Sequence, residues 1–158
     1  STSAAGDGPA DCSPRGDAPG FVHVIDSTTI AIPDRPGNRR TDTFHNIMEN
    51  PEIAVMFMVP GLNEVMRLNG RARLTTDSAL LDQMHANGKA PRAALVIDIR
   101  YVYFHCGKAV IRSDLWNPEN KVQKSDFPTL GKINQDWYGV DADETDARLA
   151  NDYKNNLY

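Results

Sequence analysis

Tight turns between β-like runs restrict the fold of this chain more than any other feature. Gly6-Asp7-Gly8-Pro9 and Asp26-Ser27 are strong turn signals, and each lies between two short β-like runs. Connections this short join antiparallel neighbours, because parallel strands need a long crossover. The longest β-like stretch, Ala93 to His105, alternates between two faces. The sequence therefore predicts a mainly β fold: a six-stranded antiparallel small barrel with short helices at its rim.

Helical segments are predicted between and after these strands. Phe44, Ile47 and Met48 recur at a spacing that places them on one face of a helix beginning just after Asn38, and Pro51 ends it. Further helices are predicted after Asp77, over Lys108 to Leu115 and over about Glu144 to Asn156, with a loop over residues 117–141. A single domain over residues 1–158 suits this length.

Composition excludes several classes of function. The formal net charge of −4 disfavours sequence-independent binding of nucleic acid, which needs a basic face. Cys12 and Cys106 form no CxxC pair, so no metal site is expected. No apolar run reaches the ~18–20 residues that a membrane span needs, and no signal peptide is visible. We expect a cytoplasmic protein that acts on a small molecule and binds neither nucleic acid nor a membrane.

The segment from Ile32 to Arg40 has the pattern of a phosphate site. Asn38 is predicted to cap a helix, and Arg39 and Arg40 would occupy its first positions. Free N–H groups, the positive end of the helix dipole and two guanidinium groups would then meet at one point. Each charge-assisted contact contributes ~1.5–3 kcal/mol. Alternatively, both arginines are solvated or pair with Asp34 and Asp42, and Arg35 braces the turn.

Arg15 is the second candidate. It follows a predicted strand, in a loop able to lie beside the helix start, where it would add a third cationic contact to the same anion or contact an aromatic ring. The alternative is a salt bridge within the turn to Asp17.

Two later segments contain further candidates. Arg67 and Asn69 share a strand face and either line a cavity or expose a polar face to water. Lys108 and Arg112 share a predicted helical face, where like charges repel, so a shared anion would explain them. The alternative is a basic helix end with Trp116 packed in the core. No Ser/His/Asp order or paired-carboxylate motif appears, so catalytic residues stay unassigned and a bound cofactor is expected to supply the reaction.

Several motifs occur together in order. They are Cys12-Ser13-Pro14-Arg15-Gly16-Asp17-x-Pro19-Gly20, Ile32-Pro33-Asp34-Arg35-Pro36-Gly37-Asn38-Arg39-Arg40, Asn69-Gly70-Arg71-Ala72, His105-Cys106-Gly107-Lys108-Ala109 and Arg112-Ser113-x-Leu115-Trp116. In this combination the chain resembles the pyridoxamine 5′-phosphate oxidase-like FMN-binding proteins, and most closely a bacterial subgroup of FMN-dependent enzymes. The resemblance implies a split β-barrel of the flavin reductase/PNP oxidase type. It also implies a homodimer with FMN at the subunit interface.

The resemblance also implies which residues bind FMN. Asn38, Arg39 and Arg40 would hold the phosphate, within a strand–turn–helix segment that includes Pro33 and Asp34. The remaining positions carried over from the family are Arg15, Glu64, Arg67, Lys108, Arg112 and Trp116, with Glu64 and Arg67 approaching from the dimer partner or its edge.

The resemblance has a limit that bears on function. The substrate-phosphate residues of pyridoxamine phosphate oxidases and their C-terminal arginine-containing motif are not recognisable in this sequence. We therefore expect an FMN-dependent oxidoreductase of an unidentified small molecule, not an oxidase of vitamin B6. The alternative is a non-catalytic module of the same fold that holds haem, a deazaflavin or a flavin.

Overall fold

The structure is a computed structural model that describes residues 2–4, 6–37 and 41–157. Its strands are β1 Thr2–Ser3, β2 Asp11–Cys12, β3 His23–Asp26, β4 Thr29–Pro33, β5 Glu52–Phe57, β6 Val65–Thr75 and β7 Ala94–His105. Its α-helices are α1 Asp42–Glu49, α2 Ser78–Leu81, α3 Lys108–Ser113, α4 Leu130–Tyr138 and α5 Ala142–Asn155. Single 3₁₀ turns follow at Asp82–Met84, Pro118–Asn120 and Lys124–Asp126.

The strands form one sheet in the order β2-β1-β5-β6-β7-β4-β3, and each pairing among the described residues is antiparallel. The predicted mainly β class with short helices is therefore confirmed. The described residues form seven strands instead of the expected six, and the short predicted β1–β2 hairpin joins the edge of β5.

The main core lies on one face of this sheet. Alternate residues of β4, β5, β6 and β7 point to that face, as the two-residue period of a strand requires, and Ile47 of α1 closes over them. The members of this core are Ile30, Ile32, Ile47, Ile53, Val55, Leu68, Ala72, Leu95 and Ile97. A smaller core on the other face packs Leu81 and Met84 against Ala31, Ala94 and Val96.

A bulge in β7 opposite Gly70 adjusts the longest strand pair. The β6–β7 register shifts between Asn69 and Gly70, where the backbones approach closely. A Cβ atom at Gly70 would overlap the carbonyl group of Asp98. Glycine is therefore required there for steric reasons.

One helix boundary differs from the prediction, and one helix was not predicted. The N-cap of α1 is Thr41 rather than Asn38, because the Thr41 carbonyl accepts the first helical hydrogen bonds, from the N–H groups of Phe44 and His45. A helix also interrupts the predicted loop over residues 117–141. This helix, α4, begins where the Thr129 side chain accepts from the N–H of Lys132.

None of the described helices has the length and apolar character needed to cross a membrane.

Candidate functional site

Three polar side chains join the start of α1 to β2. Thr43 is buried in the first turn of α1, and its Oγ1 lies 2.9 Å from Asp11 Oδ2 and 2.9 Å from Ser13 Oγ. Ser13 Oγ also donates to Asp11 Oδ2 over 2.9 Å. A buried hydroxyl needs such partners, so this triangle fixes the helix start against the loop that follows β2.

Arg15 extends from that loop onto α1. Its guanidinium carbon lies 5.7 Å from the centroid of the Phe44 ring, and its Nη1 lies 4.0 Å from Asp34 Oδ1. Its Nε is buried and has no hydrogen-bond partner among the described residues. Burial lowers the pKa of Arg15, opposed by the attraction of Asp34 and Asp11. Arg15 is thus a cation removed from water and only partly compensated.

Asp34 shares this environment. Burial raises the pKa of the Asp34 carboxyl group, and nearby Arg15 partly offsets the increase. The Asp34 N–H donates to the carbonyl of Ala93 over 2.9 Å, which continues the β4–β7 ladder by one bond beyond Pro33. The backbone leading into the predicted phosphate segment is therefore anchored to the sheet.

Asn38, Arg39 and Arg40 lie outside the described residues. Their place in the chain is nevertheless bounded on both sides by described backbone. Asp34 precedes them on the sheet, and Thr41 follows them at the start of α1. Arg15 contacts a residue on each side of this segment, Asp34 before it and Phe44 after it.

The ion pairs of this region decide against the alternative considered for Arg15. Asp17 does not pair with Arg15 but accepts from Arg35 Nε over 2.6 Å. Arg35 Nη2 also donates to the carbonyl of Met84 over 2.8 Å. Arg35 therefore braces the turn, as considered for it above, and Arg15 is left facing Asp34.

The other candidate residues gather at the opposite end of the sheet. Glu64 precedes β6, and the Arg67 guanidinium carbon lies 5.3 Å from the ring centroid of Tyr103. Lys108 and Arg112 are exposed on α3. Trp116 follows α3, and its Nε1 donates to the carbonyl of Leu62 over 2.8 Å.

The length of β7 separates these two groups. Pro33 pairs with Ala94 at one end, and Arg67 pairs with Tyr103 nine residues later. At ~3.3 Å per residue the separation along the strand is about 30 Å. Within one chain, the structure brings Arg15, Pro33 and Asp34 together but leaves Arg67, Lys108 and Trp116 apart from them.

The comparisons with known proteins identify the family. A sequence model described as Pyridoxamine 5′-phosphate oxidase matches residues 1–106. This chain belongs to the pyridoxamine 5′-phosphate oxidase family. The matched part includes Arg15, Asp34, the segment 38–40 and Arg67, but it ends before α3 begins.

Solved structures of low sequence identity share the fold of this family member. HupZ of Group A Streptococcus, in a single-substitution form at 1.98 Å resolution, has a TM-score of 0.52 and 17% identity, and the alignment covers 66% of this chain and 86% of that one. HupZ without that substitution, at 1.70 Å resolution, also has a TM-score of 0.52 and 17% identity, with 65% and 80% covered. No curated protein matches the sequence. Identity this low shows the fold alone.

The structure adds site residues that the sequence reasoning missed. Asp11 and Thr43 were not singled out, although both lie within a few residues of the motifs. Phe44 was assigned only to the apolar face of α1, yet its ring also supports Arg15. The available signal was a threonine in the first turn of a short amphipathic helix, where a buried hydroxyl needs a partner.

Beside Trp116 lies a small recess of ≈ 180 Å³, lined by Asn63, Val110, Ile111, Asp114, Leu115 and Trp116. Lys108 and Arg112 do not line it. The predicted grouping of these two cations with Trp116 around one ligand therefore gains no support from this recess.

Proposed function

We propose that this family member is a cytoplasmic FMN-binding flavoprotein that acts as an FMN-dependent oxidoreductase on a small molecule. The observation that carries the proposal is Arg15. Its guanidinium is half-buried, its Nε lacks a hydrogen-bond partner among the described residues, and its nearest carboxylate, Asp34, is 4.0 Å away. Membership of the family, whose members typically bind flavin, is the second support.

The residues present fit a phosphate monoester. Removing a cation from water is costly unless an anion compensates it, and Asp34 does so only in part. A bound phosphate would place a compensating negative charge beside the exposed part of the Arg15 guanidinium, at ~1.5–3 kcal/mol for each charge-assisted hydrogen bond. Arg39 and Arg40, which the chain places between Asp34 and Thr41, would supply further cations, with Asn38 as an uncharged donor.

The protein residues in this proposal bind and orient the cofactor. The Asp11–Ser13–Thr43 triangle holds the Arg15 loop against α1, and the guanidinium lies over the ring of Phe44. A bound flavin would supply the redox chemistry, since no acid–base pair was identified in the sequence.

We further propose that the active form is a homodimer with the cofactor at its subunit interface. Pro33 and Arg67 lie about 30 Å apart measured along β7, which favours a cofactor held between two chains over one held by a single chain. Two chains could present both Arg15 and Arg67 to one cofactor, with Glu64 and Arg67 approaching from the partner. The end of the sheet that carries Arg67 also exposes the large apolar residues Met56, Tyr101 and Phe104. Exposed apolar residues of this size are typical of a protein–protein contact surface.

The decisive experiment identifies the ligand and then tests Arg15. The purified protein is expected to show a flavin absorption spectrum and to release FMN on denaturation, identified by mass spectrometry. Titration of the apoprotein with FMN should show binding weakened more than tenfold in Arg15→Ala and more than a hundredfold in Arg39→Ala/Arg40→Ala, because each lost charge-assisted bond costs about 1.4 kcal/mol or more. Arg73→Ala is the matched control, because Arg73 forms an exposed pair with Asp98.

Three results would contradict the proposal. A Soret band in place of flavin absorption would favour the haem-binding alternative. Unchanged FMN affinity in Arg15→Ala would remove the observation on which the site depends. A bound flavin that neither NADH nor NADPH reduces under anaerobic conditions, and that no small-molecule substrate reduces, would favour a non-catalytic binding module.

A further inference from the structure

The two C-terminal helices form a compact hairpin of their own. A Cβ atom at Gly131 would overlap the carbonyl of Ala142 and the carboxylate of Asp146, so the helices touch backbone to backbone. The Gly131 N–H donates to Asp146 Oδ1 over 2.8 Å, and Thr145 is buried between the helices. The α4–α5 hairpin is therefore a built unit and not an irregular tail.

This hairpin leaves large apolar side chains in water. Trp137 is 71% exposed, Tyr138 is 68% exposed and Tyr153 is 65% exposed. Among the described residues, α4 and α5 pack mainly against each other and make no comparable contact with the sheet. Exposed aromatic residues grouped in this way indicate a contact surface.

The charge of the same surface is one-sided. Residues 136–146, read as Asp-Trp-Tyr-Gly-Val-Asp-Ala-Asp-Glu-Thr-Asp, contain five acidic residues and no basic one. The aromatic pair Trp137–Tyr138 lies within this acidic segment. A partner for it needs both apolar area and positive charge.

The end of β7 and the helix that follows it have the complementary character. Residues 99–113 contain three basic residues and no acidic one. Within them, Val102 and Phe104, which share one face of β7, are at least half exposed. Lys108 and Arg112 of α3 belong to no ion pair among the described residues.

We propose that, in the homodimer, the α4–α5 hairpin of each protomer packs against the β7 end and α3 of its partner. Trp137 and Tyr138 would cover the partner's exposed Val102 and Phe104, and the acidic segment 136–146 would lie beside the partner's α3 cations. This inference rests on the homodimer of the proposed function. It assigns Lys108 and Arg112 to the hairpin instead of the flavin, in keeping with their position beyond the family match.

The partner, rather than the same chain, is chosen for a structural reason. The hairpin and the β7 end of one chain are joined by residues 114–129, yet both surfaces stay exposed in the single chain. In a two-fold dimer each hairpin would pack on the other protomer. The same contact would then form twice and cover the hairpin and the β7 end of both chains.

Cross-linking between two distinguishable protomers tests the exchange. One protomer carries Cys12→Ser and keeps the exposed Cys106 at the β7 end. The other carries Cys12→Ser, Cys106→Ser and Tyr138→Cys. After co-expression with tags of different mass, a short bismaleimide is expected to give a covalent product that contains one copy of each. A second protomer with Ala147→Cys in place of Tyr138→Cys, exposed further along α5, is the matched control and should give several-fold less product.

The outcomes separate this inference from the proposed function. A dimer by light scattering that gives no mixed product overturns the exchange alone. The exchange alone is also overturned if a Cys12→Ser/Tyr138→Cys chain that keeps Cys106 forms cross-links only within one chain and none between chains. A monomer by light scattering contradicts the homodimer itself, whereas FMN binding is measured separately. Lys108→Glu/Arg112→Glu should lower the mixed product several-fold at low salt; an unchanged amount of mixed product would show that these cations do not hold the hairpin of the partner.

Discussion

The guanidinium of Arg35 and the carboxylate of Asp17 join the two loops that flank the candidate phosphate site. Arg35 Nε donates to Asp17 Oδ2 over 2.6 Å, and the Asp17 side chain is only 2% exposed. A second bond from Arg35 Nη2 to Met84 ties the same guanidinium to the turn after α2. The loop that carries Arg15 is therefore held in place by a charge pair away from the ligand.

Removal of one partner of this pair should be strongly destabilising. In Arg35→Met the Asp17 carboxylate stays buried without its counter-ion, at a cost of about 3–5 kcal/mol for a fully buried pair, and somewhat less here because Arg35 retains some exposure. Urea unfolding of the purified variant measures this loss.

The double variant Arg35→Met/Asp17→Leu provides the control. Because it removes both charges, it should recover part of the stability that Arg35→Met loses. Equal stabilities of the single and double variants would contradict a coupled pair.

The buried hydroxyl of Thr43 should also contribute to stability. Thr43→Val keeps the shape of the side chain but removes the hydrogen bond to the Asp11 carboxylate, at an expected cost of about 1.5–3 kcal/mol. Thr41→Val is the matched control, because Thr41 makes no side-chain capping bond and is exposed. Thermal unfolding of both variants should separate them clearly; equal losses would show that the triangle carries no stability.

Much of the fold could be predicted from the sequence, because local signals and tertiary structure agree. Turn residues at Gly6-Asp7-Gly8-Pro9 and Asp26-Ser27 predicted antiparallel neighbours, and Asp77 caps a short helix as expected. α4 was missed because its apolar positions, Leu130 and Trp137, stay exposed in the chain. Periodicity is a weak guide to a helix that does not pack on the main core.

The sequence indicated which residues form the candidate site, but not which of them pair with one another. The sequence indicated that Arg15 and the segment around Asp34 act together, and the structure places them side by side. It could not show that Asp17 belongs to Arg35, since two arginines within reach of two carboxylates allow either arrangement. The separation of Arg67 from Arg15 depends on strand register, which no local pattern contains.

The pH dependence of stability should reveal the environment of Asp34. Burial raises the pKa of its carboxyl group above the usual 3.8. The contribution of Asp34 is then fully present below about pH 3.8 and is lost as the pH rises through the raised, folded-state value. Asp34→Asn does not titrate, so its stability relative to the natural protein should increase between about pH 3 and neutrality.

Urea unfolding of both proteins at several pH values provides the measurement. The opposite result is a free energy of unfolding of Asp34→Asn that falls relative to the natural protein as the pH rises. It would show that the attraction of Arg15 affects the pKa of Asp34 more than burial does, and that the guanidinium is already compensated. That result would also weaken the case for an anion at Arg15.

Gly70, which lies opposite the β-bulge of β7, is expected to tolerate no side chain. In Gly70→Ala the new methyl group would meet the Asp98 carbonyl, which is backbone in the middle of the β6–β7 pair and cannot rotate away. Overpacking of this kind costs about 1–3 kcal/mol, and the rigid neighbour favours the upper part of that range.

Gly16→Ala is the control, because no atom lies within contact distance of its added Cβ. Denaturant unfolding should show a clear loss for Gly70→Ala and a change within about 0.5 kcal/mol for Gly16→Ala. If both variants unfold alike, the two strands do not approach as closely at the bulge as the register shift between Asn69 and Gly70 indicates.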